Sequence, residues 1–419
     1  MKKKKFAIFL VLILSVGITI GMALILMQSK ESNKLDRVYD LETVKKNCER
    51  DIAKAANGKY NNLKLSNVVV DIDDIDELYQ IDVEENDDYR NKSMVENFEL
   101  VKATINKFFG DDFDLSVVDV TFFDINEQPL EPMSFEKVDE KILNKKEVGS
   151  KFFLAFGDAR ENDGKGFLQI DSNLVSVWFS RGNIQATHPM YSYDVKQVYN
   201  LTIDKSEITD VVHLSDGEIT IKDAVDFVED YLNNDLPYEK NKEFIYEVAE
   251  VRVLDVDGQD ALGFCVRKQY KNIPFDYVDA MTSGEFNSIY WDDRGQLCMI
   301  KKGEIDNICG LGGDRYNVIK STDKIEKIIS VDGALQAMSK EIGDNSVYDV
   351  YGIELIYQFT EDSDDSTLAK YSGRIKWKIT SRNQNDDKDT LFYVDVESGK
   401  VETDLNRFIR TSLKLILYQ

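Results

Sequence analysis

Thr220-Ile-Lys-Asp-Ala-Val-Asp-Phe-Val-Glu-Asp-Tyr-Leu232 is a polar cap followed by apolar residues one, five, eight and twelve positions on: Ile221, Val225, Val228 and Leu232. Those offsets fall on one face of a helix. The same register occurs twice more. Ser93 opens SMVENFELVKATI with Met94, Phe98, Val101 and Ile105, and Ser330 opens SVDGALQAMSKEI with Val331, Leu335, Met338 and Ile342. Each cap hydroxyl is suited to accept from a first-turn amide. Ser93 with Glu96 also forms the pattern of a capping box.

Strand-like segments follow each helix and end in a hairpin. After the first come Leu115–Phe123, Lys151–Phe156 and Phe167–Asp171, then a turn at Ser172-Asn173 and Leu174–Phe179. The second leads to Phe244–Leu254, Ala261–Tyr270 and Ser288–Trp291, with a turn at Asp292-Asp-Arg-Gly295 before Gln296–Ile300. The third leads to Tyr348–Phe359, Gly373–Thr380 and Leu391–Val396, with Glu397-Ser-Gly399 before Lys400–Glu402. Asp, Asn, Ser and Gly suit such turns, because they tolerate positive φ or bond their own backbone. The fold class expected is therefore α+β, with three modules, each a helix on an antiparallel sheet, over 91–215, 216–325 and 326–419.

The amino end has a different composition. MKKKK at residues 1–5 precedes Phe6–Met27, 22 residues without a charge. As a helix that run is about 33 Å long, enough for a hydrocarbon core of about 30 Å. A cleaved signal would have a shorter apolar region and a small-x-small site, which Met22-Ala-Leu-Ile-Leu-Met-Gln28 lacks. An uncleaved single-pass anchor over 6–27 is expected, with the lysines holding the amino end in the cytoplasm and the bulk extracytoplasmic. Residues 28–90 read as a juxtamembrane stalk and acidic segment, with an apolar helical stripe at Leu41, Val44, Cys48, Ile52 and Ala55.

The second and third units resemble the PepSY domain, a small extracytoplasmic helix-and-sheet module, over residues 219–301 and 330–402. The stretches that carry this are Ser330-Val-Asp-Gly-Ala-Leu-Gln-Ala-Met338 and Phe392-Tyr-Val-Asp-Val-Glu-Ser-Gly-Lys-Val401. Ile219-Thr-Ile-Lys-Asp-Ala-Val225 and Tyr290-Trp-Asp-Asp-Arg-Gly-Gln-Leu297 are a fainter pair. The one-anchor layout is similar to YycH/YycI-type membrane-tethered regulators of a sensor kinase. The resemblance implies a regulatory or protein-binding role and transfers no catalytic residue.

Reactive chemistry is not legible. The 419 residues carry a net charge of −25, which disfavours nucleic acid or anionic lipid as a partner of the outer region. Asp255-Val-Asp-Gly-Gln-Asp260 places its glycine at the fourth position, where a calcium loop of the EF-hand type needs it at the sixth. Asn385-Asp-Asp-Lys-Asp389 fails the same test, and Asp71-Ile-Asp-Asp-Ile-Asp76 reads as a half-buried segment. Gly310-Leu-Gly-Gly-Asp-Arg315 is a glycine-rich turn without a following helix pattern. His188 and His213 have no nucleophile in register and read as structural. Of the cysteines, Cys265 or Cys298 with Cys309 could form one bridge, separate buried thiols being the commoner arrangement. Asn91-Lys-Ser93 and Asn200-Leu-Thr202 are sequons that matter only in a eukaryote, whereas five prolines and a plain anchor suit a bacterial source.

No residue therefore qualifies as a catalytic, cofactor-binding or metal-binding candidate, and no cofactor is expected. The function expected is binding or regulation outside the membrane, through a protein partner at the cell envelope or an envelope ligand. Trp178, Trp291 and Trp377 fall on predicted strands and read as core residues more readily than as contact residues. An inhibitory or chaperone-like module for a secreted protease, or a hydrolase using two carboxylates, are the other classes compatible with the sequence.

Overall fold

The computed structural model describes residues 38–84, 93–109, 114–126, 128–149, 152–156, 167–171, 177–180, 193–201, 208–235, 243–276, 295–309, 318–343, 346–362, 370–385 and 388–403. The expected anchor, His188, Trp291, the 172–173 and 292–294 turns and the glycine-rich 310–315 segment lie outside these residues. Among the described residues no helix is long and apolar enough to cross a membrane.

Along the chain, helix α1 (Leu41–Lys54) leads to strands β1 (Leu63–Asp71) and β2 (Tyr79–Glu84). Helix α2 (Met94–Phe109) precedes β3 (Asp119–Phe122), β4 (Phe152–Phe156), β5 (Phe167–Asp171) and β6 (Val177–Ser180). Next come β7 (Asp194–Asn200) and the hairpin of β8 (Val211–Leu214) and β9 (Gly217–Thr220). Helix α3 (Ile221–Asp230) precedes β10 (Phe244–Val256), β11 (Gln259–Tyr270), β12 (Gly295–Met299), β13 (Asn307–Cys309) and β14 (Val318–Lys324). Helix α4 (Val331–Ile342) precedes β15 (Tyr348–Asp362), β16 (Lys370–Asn383), β17 (Lys388–Asp395) and β18 (Val401–Thr403). The chain is thus mixed α+β, mostly strand with few helices.

All three caps form as the sequence predicts. The Ser93 hydroxyl accepts from Glu96 N–H at 3.2 Å, while the Glu96 carboxylate accepts from Ser93 N–H at 2.7 Å. Thr220 accepts from Asp223 N–H at 3.0 Å, and Ser330 from Gly333 N–H at 3.2 Å. Phe98, Val101 and Ile105 of α2, Ile221, Val228 and Leu232 in and after α3, and Val331, Leu335 and Met338 of α4 are buried.

Two sheets receive these helices. In the larger, β3-β4-β5-β6 and β10-β11-β12-β13 are antiparallel meanders joined through their last strands, Asn307 opposite Ser180 and Ile308 opposite Phe179. Beyond β10 lies β7, the last strand at that end of the sheet among the described residues. Helices α2 and α3 share one core with this sheet, through Val120, Phe122, Leu154, Val251, Phe264 and Leu297. The strands of the expected first and second modules therefore lie side by side in a single sheet.

The smaller sheet is built on β15-β16-β17-β18, a third antiparallel meander. Residues expected as a stalk complete it, which corrects that reading for the described residues 38–84. Strand β1 pairs parallel to β15, β2 pairs with β16 and β14, and α1 packs beside α4 in the same core. The reason is local bonding as well as apolar burial. Tyr60 Oη donates to Asp332 Oδ1 at 2.7 Å, and Lys59 pairs with the same carboxylate. Asn62 Nδ2 donates to the Ser339 and Gly343 carbonyls, each at 2.7 Å, tying down the end of α4. Trp377, fully buried, donates from Nε1 to Ile329 O at 3.1 Å and is a core residue.

Gly373 sits on β16 between Phe359 and Ile81, its partners on the two flanking strands. An added Cβ would lie 2.6 Å from Phe359 Cε1 and 2.9 Å from Ile81 Cγ1. Gly373→Ala is expected to cost about 1–3 kcal/mol through overpacking, measured by urea denaturation. An unchanged midpoint would mean that the two side chains give way freely.

Candidate functional site

The acidic stretch Asp255–Asp260 forms a turn and an ion pair. Asp257 and Gly258 have φ of 54° and 82°, the backbone of a two-residue hairpin turn between β10 and β11. Asp255 accepts from Gly258 N–H at 2.7 Å, and the Lys196 ammonium lies 2.8 Å from Asp255 and 2.6 Å from Asp260. A lysine thus occupies the space between the carboxylates. Asp389 pairs with Arg382 at 2.9 Å, and Ile72 and Ile75 are buried. Among the described residues no three His, Cys, Asp or Glu side chains are grouped to hold a metal.

His213 is exposed on β8, with Nδ1 3.1 Å from Glu218. Register answers the disulfide question for Cys309. Cys265 and Cys309 both stand opposite Gln296, one on either side, so two strand spacings, about 9.5 Å, separate them. Cys298 is a free buried thiol, diagonal to Cys309, and burial pushes its pKa up. Cys48 is also a free thiol, pushed up to about 12 by burial and then by Asp51.

The sequence did not single out the charges buried where the two sheets meet. Arg267 of β11 lies 2.5 Å from Glu247 of β10 and 3.1 Å from Glu354 of β15. Lys378 of β16 lies 3.1 Å from Asp276 and 3.3 Å from Glu354. Burial alone would lower the Arg267 pKa, but Glu354 and Glu247 reverse that and raise it. Burial would raise that of Glu354, yet Arg267 and Lys378 bring it below its ordinary value. Each group is held in its charged form by its partners. One signal was present: Arg267-Lys268 interrupts the apolar run Ala261–Val266.

Backbone and aromatic contacts reinforce the joint. Asp276 N–H donates to Tyr357 O at 2.8 Å, part of an isolated parallel bridge between Phe275 and Tyr357 of β15. The Phe275 ring lies 5.3 Å from Phe244, 5.8 Å from Tyr357 and 4.8 Å from Phe359. At the rim, Glu77 accepts from Lys324 at 2.7 Å and Lys271 at 3.1 Å, and the Lys271 ammonium lies 4.3 Å from the Tyr79 ring centre.

Among the described residues, β7 is the last strand at one end of the larger sheet. Leu201 N–H donates to Ala249 O at 3.0 Å. Backbone groups alternate in direction along a strand, so the N–H and C=O of Val198 point away from β10. An irregularity opposite Val253/Leu254 puts Val195 and Val198 on the same sheet face, that of their partners Leu254 and Arg252. Both are exposed, at 41% and 51%. On the other face Tyr199 Oη donates to Asp210 at 2.7 Å, next to Val211, which is 49% exposed. Burial, and then Asp210, pushes the Tyr199 phenol up to about 12.

No family model matches the chain, and no curated protein matches it. Among solved structures, an uncharacterized protein from Eubacterium rectale is similar with a TM-score of 0.46 and 13% sequence identity, over 82% of this chain and 91% of that one.

Two predictions follow from the joint. Arg267→Met leaves Glu354 buried, and Glu247 half-buried, with one cation fewer and is expected to cost about 3–5 kcal/mol in urea unfolding. A cost below about 1 kcal/mol would mean that the pair is dispensable. Glu77 is held at about 2, below its ordinary 4.5, by hydrogen bonds from Lys324, Lys271 and Tyr79. Its folded pKa being depressed, its contribution is complete above pH 4.5 and is lost as pH falls through about 2. The stability gap between the native chain and Glu77→Gln should therefore be constant near neutrality and close between those values. A gap independent of pH would refute the assignment.

Proposed function

We propose that this chain is a membrane-anchored extracytoplasmic binding or regulatory protein that acts through contacts with another protein at the cell envelope. The observation that carries the reading is the β7 edge: an outward-facing backbone flanked by the exposed Val195 and Val198. Unpaired strand edges are templates for pairing, and proteins that do not use them usually blunt them with charge, proline or a covering element. The MKKKK-plus-22-residue pattern supports the anchor and its orientation.

The modular part of the proposal rests on repetition. Each cap-anchored helix is followed by a four-stranded antiparallel meander, β3–β6 after α2 with an excursion at Met133–Ser134, β10–β13 after α3 with an excursion at Ile273–Pro274, and β15–β18 after α4. We read these as three related PepSY-like modules, the first two fused through their last strands. A module of this kind gives a rigid platform with few reactive groups, which suits recognition.

The test is photo-crosslinking of the full chain in its native membrane, with the photoreactive residue at Val198 and, as control, at Ile125 at the other end of the sheet. A discrete protein adduct from Val198 and none from Ile125 is expected. Equal labelling from both positions, or recovery of the chain in the soluble fraction, would sink the reading.

A further inference from the structure

We propose that the β7 edge takes an extended, β-branched segment of a partner protein as an added strand, with lysine or arginine on that segment beside the β10–β11 turn. This rests on the binding role proposed above and goes further by stating the partner's chemistry. The backbone of Val198 supplies one donor and one acceptor directed out of the sheet, and Val195 and Val198 offer apolar contact on one face. Strand addition uses those two elements together: main-chain bonds for affinity and alternate side chains for selection.

The charge near the strand selects the occupant. Asp194 on β7, Asp210 beside Tyr199, and Asp255, Asp257 and Asp260 at the turn surround it, with Lys196 as the cation between Asp255 and Asp260. Glu250 and Arg252 on β10 neutralise each other at 2.5 Å. The local excess is negative, as is the whole chain at −25. A second copy of this chain would meet like charge, whereas a basic segment meets opposite charge. Lysine is a common guard on an edge strand. Here its ammonium is drawn onto two carboxylates, and the valines stand clear of it.

The experiment uses the full chain in detergent and fluorescent heptapeptides of alternating threonine and valine, with lysine at both ends or glutamate at both ends. Saturable binding of the lysine peptide is expected, at least about tenfold tighter than that of the glutamate peptide and weakening as salt is raised. N-methylation of one alternate set of peptide amides should abolish binding, while methylation of the other set should leave it intact. Val198→Pro should reduce affinity at least about tenfold with an unchanged melting temperature, because the lost N–H lies outside the β10 ladder. Should Val198→Pro unfold the chain, Val198→Lys at the same exposed position, which removes the apolar contact and repels the basic peptide, reads the same edge.

Binding that survives both Val198 variants, indifference to which amide set is methylated, or equal affinity for the two peptides would overturn the proposal. So would a dimer in sedimentation that Val198→Pro dissociates, since the occupant would then be a second copy. If a protein adduct still forms from Val198 in membranes while neither peptide binds, the strand-addition proposal fails and the binding role stands. If neither appears, both fail.

Discussion

The position of the two sheets depends on a buried arginine. Arg267 projects from the larger sheet between Glu247 of its own sheet and Glu354 of the smaller one, and Lys378 closes the group against Asp276. Removing such charges from water is costly, and their mutual attraction offsets the cost only when the geometry is right. A shift of one sheet along the other would separate Arg267 from Glu354 while leaving both buried. Apolar contacts around Phe275 tolerate small displacements, because dispersion is non-directional. The ion pairs supply the direction, and the aromatic cluster beside them supplies the area.

That arrangement explains why the segment before α2 cannot be a spacer. Lys59, Tyr60 and Asn62 bind α4, and β1 and β2 lie on either side of the β15–β16 pair. The smaller sheet would lose its parallel strand and one flank without them. Glu77 then clasps Lys271 from the β11 turn and Lys324 from β14, so the same segment also touches the inter-sheet joint. The third meander is completed by chain that precedes the first.

Local features of the sequence were legible because they are settled within a few residues. The cap-plus-stripe register located α2, α3 and α4, and alternating apolar residues located most of β3–β6, β10–β12 and β15–β18, whereas β13 was not among the expected strands. Long-range pairings were not legible. The parallel β1–β15 pairing and the β6–β13 seam join residues far apart in sequence, and no local periodicity encodes a partner. Spacing argued against a calcium loop at Asp255–Asp260, but nothing local showed that Lys196, some sixty residues upstream, pairs with those carboxylates. The β7 edge was likewise hidden. No strand was expected over Asp194–Asn200, and its place as the last strand at one end of the larger sheet, among the described residues, rests on pairing with distant β10.

The acidity of the chain acquires a structural meaning at that edge. A strand at the end of a sheet with exposed valines is a hazard for any protein, because identical edges can pair with each other. Negative charge spread over the chain and gathered around β7 opposes that encounter between copies, and it does so at long range, before any hydrogen bond can form. The same field favours a basic segment. Repulsion of self and attraction of an oppositely charged strand therefore arise from one distribution of carboxylates, and they act at a strand that carries no proline and whose lysine is engaged with Asp255 and Asp260.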